Sequence, residues 1–378
     1  MAHSFPHHQA NVVDYPIDYI AAREEVIVAG KSLHHHRHQG HTHSHSVAAV
    51  RPLTFSKLFV FGDSYADTGN TGKQGSAWKV PYGMTFPGKP SGRYSDGLVL
   101  TDFLATYVYT AKYLRLKSPV AYRWRNVVPP QSLKYGVNFA TGGTGVFDTL
   151  TAGPNMSRQT DFFQKLLSTY RSEELQSSVA LVVLSGNDYA AYLVRNGSIE
   201  VLPTFISLVV NQLTANVKRI HELGVRRIVV SALAPLGCLP AITINSSYRQ
   251  CNGTFNAFVT FHNQLLQRAM AKLNRQGVND KPPATSSFIL FDLYRSFSSV
   301  LNPKGNSTFQ NPLKPCCVGT GTGYSCGSLD SKTGEKKYSV CSNPERAFFW
   351  DMVHPTQEGW RAVFSQLMNT LQQLFKDI

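Results

Sequence analysis

Two short stretches far apart in this sequence hold side chains whose chemistry can be joined. Lys57–Phe61 (KLFVF) runs directly into Gly62-Asp63-Ser64. A serine hydroxyl is a weak nucleophile until a base takes its proton. A glycine turn at the tip of a strand would expose that oxygen where other groups can converge. Near the other end lies Trp350-Asp351-Met352-Val353-His354-Pro355. An Asp three residues before a His can bond Nδ1 from one turn of chain, leaving Nε2 to accept the serine proton. The competing use of Asp351 is as cap of the helix expected at 356–376; both hold if Thr356 supplies the cap instead. Two other histidines follow residue 46. His262 interrupts the apolar stripe of a helix at 255–275 and reads as packed or at a rim. His221 sits near a helix end and reads as a solvated C-terminal residue. Elimination leaves His354 as the base for Ser64.

Acyl transfer also requires donors for the oxyanion that develops on a carbonyl. Val179–Leu184 leads into Ser185-Gly186-Asn187-Asp188, which would project the Asn187 amide from a second strand tip. Tyr135–Ala140 leads into Thr141-Gly142-Gly143-Thr144-Gly145, a loop with exposed backbone N–H groups. Each has a plainer reading, Asn187 as a turn former and the glycines as packing devices. A phosphate-cradling loop is disfavoured, since neither GxGxxG nor GxxxxGK[ST] occurs.

The elements that must position these groups follow from periodicity. Lys57–Phe61, Val179–Leu184, Arg227–Ser231 and Ser287–Phe291 are short apolar runs of the kind buried on both faces. Helical stripes lie between them at 204–223 and 255–275, and after them at 356–376 through Trp360, Phe364, Leu367, Leu371 and Phe375. Gly224 and Gly277 stand where C-caps belong. Alternating strands and helices predict a parallel sheet covered on both sides, with the site beyond the carboxyl ends of the strands.

The formal charge of +14 belongs to the body of the chain, with 34 basic against 19 acidic side chains after residue 50. Such a surface favours pectin-like polysaccharide or anionic lipid. Nucleic acid is not expected, because no nucleic-acid motif and no basic block occurs. Cys238, Cys251, Cys316, Cys317, Cys326 and Cys341 read as disulfides rather than a zinc site, since no CxxC pair is present. Asn155, Asn196, Asn245, Asn252 and Asn306 are glycosylation sequons. Residues 1–52 hold a histidine cluster from His34 to His45, which reads as a disordered leader in preference to a metal tract. Met1–Val50 shows no basic start followed by an apolar core, so no signal peptide is visible, and no apolar run is long enough to span a membrane.

Taken together, FVFGDSYADTGN, GRYSDGLVLTDFLA (92–105), YGVNFATGGTG (135–145), LSGNDY (184–189), CCVGTGTGYSCG and FFWDMVHPTQEGW resemble the GDSL esterase/lipase family of SGNH hydrolases, in its plant-type branch. Tyr65 stands where the family's Leu follows the nucleophile. The resemblance runs from about Leu53 to Ile378. It implies a flavodoxin-like three-layer α/β/α sandwich over 53–378 and a serine esterase or lipase acting on lipid, small-molecule or polysaccharide esters. The nucleophile then falls on Ser64, the acid–base pair on Asp351 and His354, and the oxyanion donors on Asn187, Gly143 (or its neighbour Gly142) and the Ser64 N–H. It implies no metal or organic cofactor and, with the cysteines, an extracellular or secretory location. A monomer acting on small or medium acyl esters is expected, since no long apolar lid is visible. The same triad could serve an acyltransferase, and a dead site could serve a binder of acylated carbohydrate or lipid. Asp351→Asn is expected to weaken turnover less than Ser64→Ala if backbone also holds the imidazole.

Overall fold

In the computed structural model the described residues are 55, 57–110, 118–276, 286–302 and 308–376. The histidine-rich leader (1–52), Gly277 and Asn306 lie outside them, as does the side chain of Phe375.

Six strands form one parallel sheet: β1 (Lys57–Gly62), β2 (Val120–Ala121), β3 (Val137–Asn138), β4 (Ser178–Val183), β5 (Arg227–Ser231) and β6 (Phe288–Phe291). β1, β4 and β5 are buried along their whole length, as their unbroken apolar runs require for strands covered on both faces. β6 is an edge strand, and Ile289 and Leu290 are only half-buried. β2 and β3 have two residues each, too short to leave a periodic signal, and the sequence shows neither as a strand.

Among the described residues nine helices accompany the sheet. α1 (Leu100–Thr110) precedes β2; α2 (Met156–Leu166) and α3 (Ser172–Gln176) follow β3; α4 (Asn187–Val194) and α5 (Leu202–Glu222) follow β4. α6 (Pro240–Thr243) and α7 (Gly253–Arg275) follow β5; α8 (Leu293–Leu301) and α9 (Gln357–Lys376) come last. α2, α5 and α7 pack along one face of the sheet, while α1, α8 and α9 pack together on the other, which gives the expected three layers. Ile206, Val209, Leu213, Val217 and Ile220 of α5 are all buried, as the stripe predicts. Gly224 adopts φ +111° just past the end of α5, the left-handed position that stops a helix. Asn155 and Asn252, two of the sequon residues, cap α2 and α7 through their side-chain oxygens.

The strand order is β2-β3-β1-β4-β5-β6. From β1 the chain builds to one side, then returns to add β4 on the other. The order therefore reverses at β1, and open α/β sheets place their sites beyond the carboxyl end of the strand at such a reversal. Ser64 follows β1, residues 141–145 follow β3 and Asn187 follows β4. Outside the sheet, β7 (Cys317–Gly319) and β8 (Tyr338–Val340) form an antiparallel pair over a second small core of Tyr82, Cys316, Cys317, Cys326, Tyr338 and Trp350.

Candidate active site

Gly62 begins the turn that presents Ser64. It adopts φ +135°, and a Cβ there would lie 1.8 Å from the Val183 carbonyl oxygen, so no other residue fits. Gln159 of α2 grips this point, accepting from Gly62 N–H at 2.8 Å and donating to its carbonyl at 2.9 Å. Asp63 N–H donates to Val183 O at 3.1 Å, after which Ala66 and Asp67 N–H return to Asp63 O. Ser64 is thereby lifted out of the strand onto the first turn after it.

The chain brings Ser64, His354 and Asp351 together. His354 Nε2 stands 2.8 Å from Ser64 Oγ, and Nδ1 stands 2.8 and 2.9 Å from the two Asp351 oxygens. With Nδ1 protonated, the ring donates to Asp351 and accepts from the Ser64 hydroxyl. All three residues are buried. Asp351 Oδ1 also accepts the backbone N–H groups of Val353 (2.9 Å) and His354 (2.8 Å), and Oδ2 accepts the Tyr82 hydroxyl at 2.6 Å. Burial pushes the Asp351 carboxyl up, but attraction to His354 and the bonds from His354, Tyr82 and Val353 outweigh it, leaving it below the usual range. Among the described residues Nδ1 meets no backbone acceptor, and Asp351 is its hydrogen-bond partner. The cap of α9 comes from Thr356, whose Oγ1 accepts Gly359 N–H at 2.9 Å, and from Asp96, which accepts Gln357 N–H at 2.7 Å. Asp351 is thus not used as a helix cap.

The residues expected to donate to an oxyanion are placed unequally. Gly142 N–H is already bonded, donating to Asp67 Oδ2 at 2.8 Å and to Thr71 Oγ1 at 3.0 Å. Gly143 sits next to it at φ +78°, and among the described residues its N–H and that of Ser64 have no partner. Asn187 does not project freely from a strand tip. It is the first residue of α4, and its amide nitrogen donates to Asp63 Oδ2 at 3.1 Å and to Thr144 O at 3.0 Å. Asp63 Oδ2 further accepts Ser185 N–H (2.5 Å) and Ser185 Oγ (2.7 Å), while Oδ1 accepts Tyr65 N–H. Burial raises the Asp63 carboxyl to about 6 against the pull of these bonds.

Sequence reasoning missed the groups that hold this set. Tyr82, in an irregular stretch with no periodic signal, bonds Asp351; Tyr94 lies 4.9 Å from the His354 ring; and Tyr65 O–H donates to Val353 O at 2.9 Å. Asp188 accepts Val146 and Phe147 N–H at 2.9 Å each, pinning the far end of the glycine loop. Within the 92–105 signpost, Arg93 and Asp102 form a buried bidentate pair at 2.8 and 2.9 Å. His262 is buried as expected, with Nδ1 2.5 Å from Tyr189 Oη. His221 is not fully solvated; it is half-buried, 5.0 Å from the Phe288 ring. All six cysteines are paired, as Cys238–Cys251, Cys316–Cys341 and Cys317–Cys326. Among the described residues no group of three or more His, Cys, Asp or Glu side chains is placed to hold a metal.

The α/β/α sandwich thus carries a serine, a histidine and an aspartate in bonded sequence beyond the carboxyl end of β1. The family model of GDSL-like lipase/acylhydrolases matches residues 58–367, and the chain belongs to that family. It is 51% identical to a GDSL esterase/lipase of Arabidopsis thaliana over 88% of this chain and 90% of the relative. A second Arabidopsis GDSL esterase/lipase is 49% identical over 86% and 91%. Acetylajmalan esterase 2 of Rauvolfia serpentina is 30% identical over 83% and 90%. The protein is a carboxylic ester hydrolase.

Proposed function

We propose that the enzyme cleaves esters by a two-step acyl transfer at Ser64. His354 takes the Ser64 proton through Nε2 as the oxygen attacks the ester carbonyl, and Asp351 holds the imidazolium that results. The N–H groups of Ser64 and Gly143 receive the oxyanion. The Asn187 amide joins them by exchanging its bond to Thr144 O or Asp63 for one to substrate. His354 then protonates the leaving alcohol, and water, deprotonated by the same ring, releases the acid. The observation that carries this reading is the unbroken chain from Ser64 Oγ through His354 to Asp351 at 2.8 Å per step.

The hydrolase domain is taken as residues 53–378, acting as a monomer on lipid esters or acylated small molecules or polysaccharides. Three disulfides support a location outside the reducing cytosol. No helix among the described residues is long and apolar enough to cross a membrane. The test is labelling with a fluorophosphonate together with hydrolysis of p-nitrophenyl esters from acetate to palmitate. Wild type is expected to label at Ser64 and turn over a subset of the series, and Ser64→Ala to do neither. Retained turnover in Ser64→Ala would sink the mechanism.

A further inference from the structure

The chain carries its positive charge unevenly, and one part of the excess lies against the site. Residues 68–95 and 118–147 contain seven Lys and Arg and not one Asp or Glu. The two segments are joined in space. Arg123 donates to Asn70 Oδ1 through its N–H and to Thr71 O through Nη1, both at 3.0 Å, and the Trp78 and Trp124 rings lie edge to face at 6.3 Å. Lys73, Lys79, Lys89 and Arg123 are exposed, and none of them forms an ion pair among the described residues.

The same stretch leaves apolar side chains in water. Val80 is 64% exposed, Met84 47% and Val127 70%. Val80 follows Trp78 by two residues, and Val127 is bonded back to Trp124 at 2.9 Å. Inward, this segment touches the reacting groups, for Tyr82 bonds Asp351 and Tyr94 lies on His354. Thr71 bridges the two sides: its carbonyl accepts from Trp78 and Arg123, while its hydroxyl oxygen accepts the Gly142 N–H.

We propose that the face built by these two acid-free segments is an interfacial surface that seats the enzyme on an anionic lipid bilayer. Bases answer the negative headgroups, tryptophans occupy the interfacial layer, and exposed aliphatic side chains enter the acyl boundary. An acidic polysaccharide would answer the charge but gives Val80, Met84 and Val127 nothing to bury against. Both Trp124 neighbours, Lys73 and Arg123, also stand over its ring, 5.9 and 5.3 Å from the centroid, where a sugar would otherwise stack.

The experiment is co-sedimentation of the full chain carrying Ser64→Ala, so that binding is read without turnover and stands apart from the esterase mechanism. The vesicles are phosphatidylcholine alone, or with about a third phosphatidylglycerol. Binding is expected only to the anionic vesicles, and it should weaken with added salt. Lys73→Glu/Lys79→Glu/Lys89→Glu should bind about 100-fold less tightly, at roughly fivefold per lysine. Lys218→Glu/Arg268→Glu/Lys272→Glu makes the same charge change on exposed positions of α5 and α7 and should retain most of the affinity. Val80→Ser/Val127→Ser should lower the binding that survives high salt. Equal losses in the two triple variants would overturn the proposal. So would absent vesicle binding, or retention on polygalacturonate without binding to vesicles.

Discussion

Replacing Asp351 by Asn tests the orienting carboxylate without changing its size. The acceptor at Oδ1 is fixed by two backbone donors, Val353 and His354 N–H at 2.9 and 2.8 Å, so the Asn carbonyl oxygen must take that place. Its NH₂ group then replaces Oδ2, 2.8 Å from His354 Nδ1 and 2.6 Å from the Tyr82 hydroxyl. The hydroxyl can turn and accept, but Nδ1 facing a donor must give up its proton. The imidazole is driven to the tautomer protonated on Nε2, which donates to Ser64 and cannot take its proton. Among the described residues no backbone group on Nδ1 resists the change. The milder effect expected if backbone shared in holding the ring therefore gives way to a large one. The loss in kcat/KM should be on the order of 10⁴, about 5 kcal/mol of barrier. It is read from p-nitrophenyl ester hydrolysis across the pH range, with near-UV circular dichroism to verify the fold. A folded Asn variant within tenfold of wild type would refute this account of the histidine's orientation.

Other outcomes follow from the same geometry. Tyr82→Phe removes one of the donors that offset burial of Asp351; at about 1.5–3 kcal/mol for a bond to a charged group, the Asp351 carboxyl should titrate higher and folding should lose stability at neutral pH. Denaturant melts with and without the hydroxyl check this. Gly143→Ala places a Cβ 2.5 Å from Thr151 Cγ2 at φ +78°, so the loop must shift; kcat should fall roughly 10- to 1,000-fold with little change in KM. Asp63 holds its proton more tightly folded (about 6) than unfolded (3.8). Its contribution to stability is therefore full below the unfolded value and is lost as pH rises through about 6. Asp67, Asp96 and Asp188 are raised by burial too and act with the same sign, whereas His262, lowered by burial to about 3, acts with the opposite sign. The Asp63 part is therefore read by difference: in thermal unfolding scans the stability of wild type relative to Asp63→Asn should fall as pH rises through about 6. Cys316 and Cys317 N–H donate to Phe349 and Trp350 O, at 3.0 and 2.6 Å, just before Asp351. Cys317→Ala/Cys326→Ala should cost about 3 kcal/mol, and esterase activity should be lost on heating no later than the global melt.

Much of this was legible because it was repetitive or local. The long strands and helices are fixed by apolar runs and stripes, and those at 227–231 and 253–275 differ from their sequence reading by no more than two residues. Ser64 and the Asp351–His354 pair could be picked out because each sits in a short motif next to a recognisable element. β2 and β3 were not visible, since two residues carry no period, yet β3 aims the glycine loop. Tyr82, 269 residues from Asp351, left no trace because nothing local ties it there; only the packing of an irregular segment over the second core does. The cysteine pairing is of the same kind. Composition pointed to disulfides, but the adjacent Cys316 and Cys317 take different partners for reasons set by the β7–β8 pair.

Three buried carboxylates outside the proposed catalytic roles hold the segments that carry the proposed oxyanion donors. Asp67 takes the Gly142 N–H, and Asp188 takes those of Val146 and Phe147, so the glycine loop is gripped on both sides of Gly143. Asp63 takes Ser185 N–H and the Asn187 amide, fixing the start of α4 beside Ser64. Gly145 lets Asp188 come this close, since a Cβ there would lie 2.5 Å from its carboxylate. Each carboxylate is buried, which raises its pKa and disfavours the charged form that accepts best. The fold bears that cost at three points around a loop whose central N–H is left unbonded. The Gly143 N–H, held in place through its neighbours and itself unbonded among the described residues, needs no reorganisation when charge develops, whereas the Asn187 amide must first give up a bond to Thr144 O or Asp63.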